Sequence, residues 1–303
     1  MQSSPQIQGR GRHKIRLPQW EQAKMLWGRR AERACVVDPV TNEQGTPEGV
    51  DQERSLKLLS FNIQVGIKTK AYSQYVTKGW KYLLPHEKRL TNLRRISDVV
   101  ADYDLVALQE VDGGSIRSNN INQVEYLAKN GGFPYWYAQT NRDLGRLAQH
   151  GNGLLSRIAP HALEDHKLPG AIPGRGAVIA RMPYAGDELV VVMLHLSLGD
   201  RSRHRQLAYI AELIAHERQV VVMGDMNTSL SRLMADSPLK NVNLRPTENP
   251  QPTYPAWQPS QVLDHILVSS NLVVKDFEVL GHRLSDHLPV ALELAAVSRP
   301  AIQ

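Results

Sequence analysis

The sequence predicts an α/β fold with one large core, and three observations predict it. From Leu56 onward, short runs rich in Val, Ile and Leu alternate with longer stretches whose apolar residues recur at helical spacing. Several of the apolar runs end in Asn, Glu, His or Asp, as buried strands do when their ends carry chemistry. The chain has 303 residues, 42% of them hydrophobic and 22% charged, which suffices for a sizeable interior and excludes fibrous and disordered classes.

Taken in order, residues 1–54 read as a basic N-terminal arm and linker, 55–297 as a catalytic domain and 298–303 as a tail. Residues 1–34 hold eight basic side chains (Arg10, Arg12, Lys14, Arg16, Lys24, Arg29, Arg30, Arg33) against Glu21 and Glu32. The arm therefore carries the whole net charge of +6 and the remaining chain is neutral. Positive charge so concentrated suits an anionic partner, nucleic acid or an anionic membrane surface, as well as a merely solvated tail. Trp20, Ala23, Lys24 and Trp27 fall at helical spacing, which allows a short amphipathic helix that packs on the body. Residues 38–54 are rich in turn formers and read as a linker. The lone Cys35 excludes an internal disulfide and a thiolate zinc cage. The first thirty residues lack the apolar run of a secretory signal, and no stretch reaches bilayer-spanning length. The expected location is cytoplasmic, with no obligate protein partner.

Helices are expected over 86–100, 121–130 and 202–216. Strands are clearer. Leu56–Asn62 ends in an amide, Asp104–Glu110 in a carboxylate and Leu189–His195 in an imidazole. The run from Gln219 ends in Asp225 and Asn227, which the two-residue period of a strand places on one face. Later the order reverses, with Asp264 preceding His265–Val268 and Asp286-His287 preceding Leu288–Leu292. If those late strands run antiparallel to their neighbours, all these groups meet at one end of the sheets. His265 must point opposite to Asp264, so it reads as a packed structural histidine, and His86, His161, His166, His204, His216 and His282 read as surface or packing residues.

Glu110, Asp225, Asp264 and Asp286 in one cleft would repel unless a cation or an imidazolium compensated them. Their oxygens suit a hard ion, Mg²⁺ or Mn²⁺, which normally completes its shell with water and substrate phosphate. A phosphate ester is therefore the expected substrate. The chain has no Walker loop, nucleophile elbow or dinucleotide fingerprint.

The segments Leu59–Gln64, Leu108–Val111, Gly151–Arg157, His195-Leu196, Gly224–Asn227, Leu263–Val268 and Ser285–Val290 resemble, in this order, the motifs of the endonuclease/exonuclease/phosphatase (DNase I-like) superfamily, in its bacterial branch. The resemblance implies a four-layer sandwich, two mixed β-sheets face to face with helices outside. It implies Glu110 as principal metal ligand, with Asn62 and Asp286 completing the metal and water network. His287 is implied as general base or as an imidazolium on the phosphate, oriented by Asp264. Asp225 would position or deprotonate the attacking water, Asn227 would donate to a phosphate oxygen, and His195 would stabilise the charged transition state. Asn152 is expected to line the site.

Relatives that cut abasic DNA carry a Gly-Trp-Arg-x-Asp-Tyr type of segment where this chain has Tyr254–Asp264, which argues against a dedicated abasic-site enzyme. The leading expectation is a Mg²⁺-dependent nuclease, with DNA favoured, assisted by the arm and by Arg201, Arg203, His204 and Arg205 beyond the His195 strand. The alternatives are a phosphodiesterase or phosphatase on lipid or inositol headgroups, similar to sphingomyelinases, and a non-catalytic binding module.

Overall fold

The computed structural model describes residues 34–42, 55–66, 87–143, 149–170 and 174–295. Most of the basic arm, the Trp20–Trp27 segment, residues 43–54 of the linker and the tail lie outside the described residues.

Two seven-stranded mixed sheets pack face to face. The first runs β1 (Ala34–Val37), β7 (Ala162–Lys167), β8 (Gly176–Tyr184), β9 (Asp187–His195), β10 (Val220–Asp225), β12 (Asp264–Ser269), β11 (Leu244–Pro246). The second runs β13 (Val274–Val279), β14 (Val290–Leu294), β3 (Leu56–Asn62), β4 (Leu105–Asp112), β6 (Gln149–Ser156), β5 (Tyr135–Asp143), β2 (Val40–Thr41). Helices α1 (Glu87–Val100) and α2 (Gln123–Gly131) cover the outer face of the second sheet, and α3 (Asp200–Ile214) covers that of the first. This is the expected four-layer sandwich.

Strand parity builds the three apolar layers. Leu56, Leu58, Leu105, Ala107 and Leu154 face Val191, Met193, Val221, Met223, Ile266 and Val268 across the central layer. The alternate residues, Leu59, Phe61, Val106 and Leu108, pack outward on Leu93, Ile96 and Leu127 of the helices, while Val190, Val192 and Val222 meet Leu207, Ile210 and Ile214. Because both faces are covered, the strands read as continuous apolar runs instead of alternating ones. Helix α2 begins where the Asn122 side chain accepts from the amides of Val124 and Glu125, and it stops at left-handed Gly132.

Residues 34–42, expected to belong to the arm and linker, instead supply an edge strand to each sheet. β1 pairs antiparallel with β7 and β2 with β5. The intervening Asp38-Pro39, which signals a turn, is the short step that carries the chain from one sheet to the other.

Candidate active site

The inward parity of each strand, continued to its end, leads to the site. In the first sheet His195 lies beside Asp225 on the parallel neighbour, and Asp225 lies beside Asp264 on the antiparallel one. The second sheet aligns Asn62 with Gln109 and Gln109 with Asn152. The two edges touch where Asn62 Nδ2 donates to Asp225 Oδ2 over 3.1 Å. As the sequence required, β12 and β14 run antiparallel to their neighbours, which brings Asp264 and Asp286-His287 to this same end.

Glu110 arrives by a different route. Parity would send it outward, since Leu105, Ala107 and Gln109 face in. A β-bulge between Gln109 and Val111 leaves it unpaired against β6, and its φ of 55° lies in the left-handed region that a glutamate adopts only under constraint. The bulge re-aims the side chain. Its carboxylate sits close enough to Arg175 to favour that guanidinium's charge, and among the described residues no hydrogen bond occupies it. Two other turns at this end are also left-handed at non-glycine residues, Gln64-Val65 after β3 and Asn227 after β10. Backbone strain of this kind clusters where a site dictates the conformation. Gly224 has φ 146°, and a Cβ there would overlap the Leu194 carbonyl, so only glycine lets β10 pass β9 this closely.

Around Asp225 the contacts form a buried chain. His195 Nε2 is 3.3 Å from Asp225 Oδ2, His287 Nε2 is 3.8 Å from the same oxygen, and the Asn227 amide donates to Oδ1 over 3.0 Å. His287 Nδ1 is 2.8 Å from Asp264 Oδ2, which also accepts from Thr253 Oγ1 over 2.6 Å. Burial opposes charge on His287, but Asp264 and Asp225, with Asp286 behind them, hold its pKa up at about 10. Burial likewise opposes charge on Asp225, yet His287 and His195 keep it ionised and well below the usual carboxylate range. The result is an imidazolium between two carboxylates. Tyr254 closes this side, its ring centroid 4.8 Å from that of His287.

The remaining expected residues divide. Asp286 accepts from Ser285 Oγ over 3.1 Å beside His287. Asn227 gives one amide hydrogen to Leu196 O. Asn152 is buried at this end, donating to Gln139 Oε1 and Gly176 O, and its Oδ1 has no hydrogen-bond partner among the described residues. Arg201 is exposed on the first turn of α3. Arg203, expected to bind substrate, is turned inward: it is buried and donates to the carbonyls of Ser197 and Leu198 and to Asp200. It clamps the β9–α3 loop. His265 is the structural histidine expected, buried with Nε2 2.8 Å from Thr228 O.

Sequence reasoning missed Arg175, Thr253 and Tyr254. Arg175 Nη1 lies 2.6 Å from both ring nitrogens of His195, and Glu110 and Asp225 act on its charge. A loop arginine reads like any solvated base, but its flanking glycines were a signal. A Cβ on Gly176 would overlap the side-chain oxygens of Asn141 and Gln139, so the backbone is pressed against the opposite sheet.

Four acidic residues (Glu110, Asp225, Asp264, Asp286) thus share this end of the sandwich with His195, His287 and Arg175. The donors are oxygens with imidazole and no thiolate, a set that fits a hard divalent ion. Asp225, Asp264 and His287 place a ligand atom each within 4.8 Å of one another. The resemblance assigns the ion instead to the oxygens of Glu110, Asp286 and Asn62, and of these Asn62 touches the first set through Asp225 Oδ2.

The model of a family described as Endonuclease/Exonuclease/phosphatase matches residues 59–287. The uncharacterized protein YbhP of Escherichia coli (strain K12) is 28% identical over 269 residues, covering 80% of this chain and 97% of YbhP. An endonuclease/exonuclease/phosphatase structure from Beutenbergia cavernae superposes with a TM-score of 0.62 at 20% identity, over 80% of this chain and 72% of that one. Two further structural neighbours carry more specific descriptions. D. rerio TDP2 in complex with a single-strand DNA product aligns with a TM-score of 0.57 at 17% identity over 79% of this chain and 98% of its own. The mannosyl-6-phosphatase Bt3783 of Bacteroides thetaiotaomicron aligns with 0.56 at 17% identity over 79% and 99%.

Proposed function

Because the chain belongs to the endonuclease/exonuclease/phosphatase family, and its members hydrolyse phosphate esters, we propose that it is a Mg²⁺-dependent phosphodiesterase that cleaves nucleic acid, DNA in preference. The observation that carries hydrolysis is the contact between the two sheets, where Asn62 reaches Asp225 and Asp225 lies between His195 and His287. A divalent ion on Glu110, Asp286 and Asn62 would supply Lewis-acid polarisation of the phosphoryl oxygen.

Each side chain then has a task its surroundings permit. Asp225, ionised and facing both imidazoles, orients the attacking water and, kept a weak base by them, accepts its proton only as the water oxygen bonds to phosphorus. The water oxygen bonds to phosphorus as the ester P–O bond breaks. His287, held protonated by Asp264 and Asp225, donates to the phosphate or to the departing oxygen, which favours the acid form among the two roles expected of it. Asn227 has one amide hydrogen left for a phosphoryl oxygen.

The preference for nucleic acid rests on charge. The arm holds the net +6 of the chain, and Arg201, His204 and Arg205 are exposed on the first turns of α3, just beyond His195. The structural neighbours include one bound to a DNA product and one described as a sugar phosphatase, so a substrate panel is the decisive experiment. Single- and double-stranded DNA, RNA, sphingomyelin, inositol phosphates and bis(p-nitrophenyl) phosphate are each assayed with Mg²⁺ and with EDTA. DNA cleavage that Mg²⁺ restores, and that weakens when residues 1–33 are removed, supports the reading. Cleavage of lipid headgroups with inert DNA replaces the substrate and keeps the site.

A further inference from the structure

We propose that Asn92 and Gln123, two buried carboxamides on the helices that cover the second sheet, are positioning residues. They fasten together the strand-end loops that carry Asn62, Glu110 and Asp286, so that the seat for the ion is assembled before an ion arrives. The proposal rests on the hydrolase reading above, which puts the ion on those three side chains.

Asn62 ends β3, Glu110 stands in the bulge of β4, and Asp286 precedes β14. Asn92, on α1, is buried, and its amide has two hydrogens to give. Nδ2 donates to Gly66 O over 3.2 Å and to Leu284 O over 2.6 Å. Gly66 lies four residues beyond Asn62, and Leu284 two before Asp286. Gln123, the first residue of α2, is also buried and uses both ends of its amide. Nε2 donates to Val65 O over 2.9 Å, and Oε1 accepts from the amide of Asp112, two residues beyond Glu110, over 2.9 Å. One carboxamide therefore joins the exit of β3 to the approach of β14, and the other joins it to the exit of β4.

The anchor common to both is Val65-Gly66, in the turn that is left-handed at Gln64 and Val65. That turn is held from the helices by Asn92 and Gln123 and from the site by Asn62, whose Oδ1 accepts from the Gln64 amide over 3.1 Å. The fit is close: a Cβ on Gly66 would come within 3.3 Å of Gln123 Nε2. Glu110 and Asp286 bring like charges to one seat, which favours separation of the loops that carry them. Buried hydrogen bonds from two helices oppose that separation. The cost of gathering the ligands then falls on folding, and an arriving ion meets oxygens already in place.

The test uses the full-length protein, with Mn²⁺ affinity measured by calorimetry beside turnover on bis(p-nitrophenyl) phosphate. Loss of a group that orients metal ligands typically lowers affinity by about 10–100-fold, and we expect about tenfold for Asn92→Ala and for Gln123→Met, which keeps the volume. At saturating Mn²⁺ the kcat of both variants should return to the wild-type value, because the bound ion then gathers the loops itself. Ile96→Ala is the control: Ile96 is buried in the apolar layer one turn further along α1, so this variant should lose stability and keep its Mn²⁺ affinity. Asn92→Ser, whose hydroxyl can serve only one of the two carbonyls, takes the place of alanine if that variant does not fold. Mn²⁺ affinity within about twofold of wild type in the Asn92 and Gln123 variants overturns the proposal. An equal fall in Ile96→Ala overturns it too, as the mark of general loosening, and so does a kcat that stays depressed at saturating metal. If the wild-type protein itself binds no Mn²⁺, the hydrolase reading fails first and this one falls with it.

Discussion

Two arginines at opposite ends of the sandwich show how differently this fold treats its two edges. Arg157, at the far end of β6, donates to the carbonyls of Ala101, Tyr103, Gly131 and Gly132 and lies 4.7 Å over the Phe133 ring. It ties the exits of α1 and α2 to the second sheet and satisfies carbonyls that helix ends leave over. Arg175, at the other end, binds no side-chain partner but an imidazole among the described residues and sits among carboxylates. One end spends its polar groups on the fold. The other keeps like charges together, tolerates left-handed Glu110 and Val65, and leaves buried oxygens of Asn152 and Asp264 without partners among the described residues. Stability and function should therefore respond separately to changes at the two ends.

The largest expected effect is at the catalytic end. His287→Ala removes the proton carrier, and loss of one such group lowers kcat by roughly 10²–10⁴. The same change leaves Asp264, Asp225 and Asp286 without the buried cation they hold, so stability falls as well and turnover is compared per folded molecule. Turnover on bis(p-nitrophenyl) phosphate, with the folded fraction taken from a melting curve on the same sample, would show the comparison to be wrong if kcat per folded molecule is unchanged.

Next comes the far end. Arg157→Ala withdraws a charged donor from four carbonyls, and hydrogen bonds to charged groups contribute about 1.5–3 kcal/mol each before water replaces part of them. We expect about 3 kcal/mol of stability lost in urea unfolding, with kcat per folded molecule unchanged. A loss of kcat in the folded fraction would mean that the two ends communicate through β6.

How much of this was legible in the sequence depends on what fixed each residue. Asn62, His195, Asp225 and Asp264 were readable because strand parity alone delivers them: each continues the inward face of an apolar run. Glu110 was named as part of the site although parity points it outward, and only the bulge reconciles the two. Arg203 was misread because a basic residue after a strand looks the same whether it faces solvent or its own loop; the carbonyls of Ser197 and Leu198 decide that in three dimensions. Arg175 and Tyr254 were silent because their roles come from loops brought in by distant elements. Strands β1 and β2 were lost to the arm and linker because they are four and two residues long and flank a turn signal.

A third prediction uses pH to read the catalytic end without substrate. His287 has a folded pKa of about 10 against an ordinary 6.5, so its contribution to stability is complete below about 6.5 and is lost as pH rises through 10. Asp225 has the opposite sign: its contribution holds above its ordinary 3.8 and is lost as acid protonates it. In metal-free buffer the wild-type protein should lose more stability between pH 7 and 10 than His287→Gln does. Parallel curves would show that His287 is not held protonated between the two aspartates.

The smallest effect is the sharpest probe of strain. A non-glycine residue held in the left-handed region costs of order 1–3 kcal/mol, and glycine recovers most of that at an entropic cost of roughly 0.5–1 kcal/mol. Glu110→Gly also removes one of four clustered carboxylates, which adds to the gain. We expect about 1 kcal/mol of added stability together with loss of Mn²⁺ binding. Relief of strain at a bulge with a purely structural purpose would give the first without the second, so the two measurements together decide whether the strain serves the site. Should the variant be less stable than wild type, the left-handed turn is held by favourable contacts of the Glu110 side chain, and the contrast between the two ends is one of charge alone.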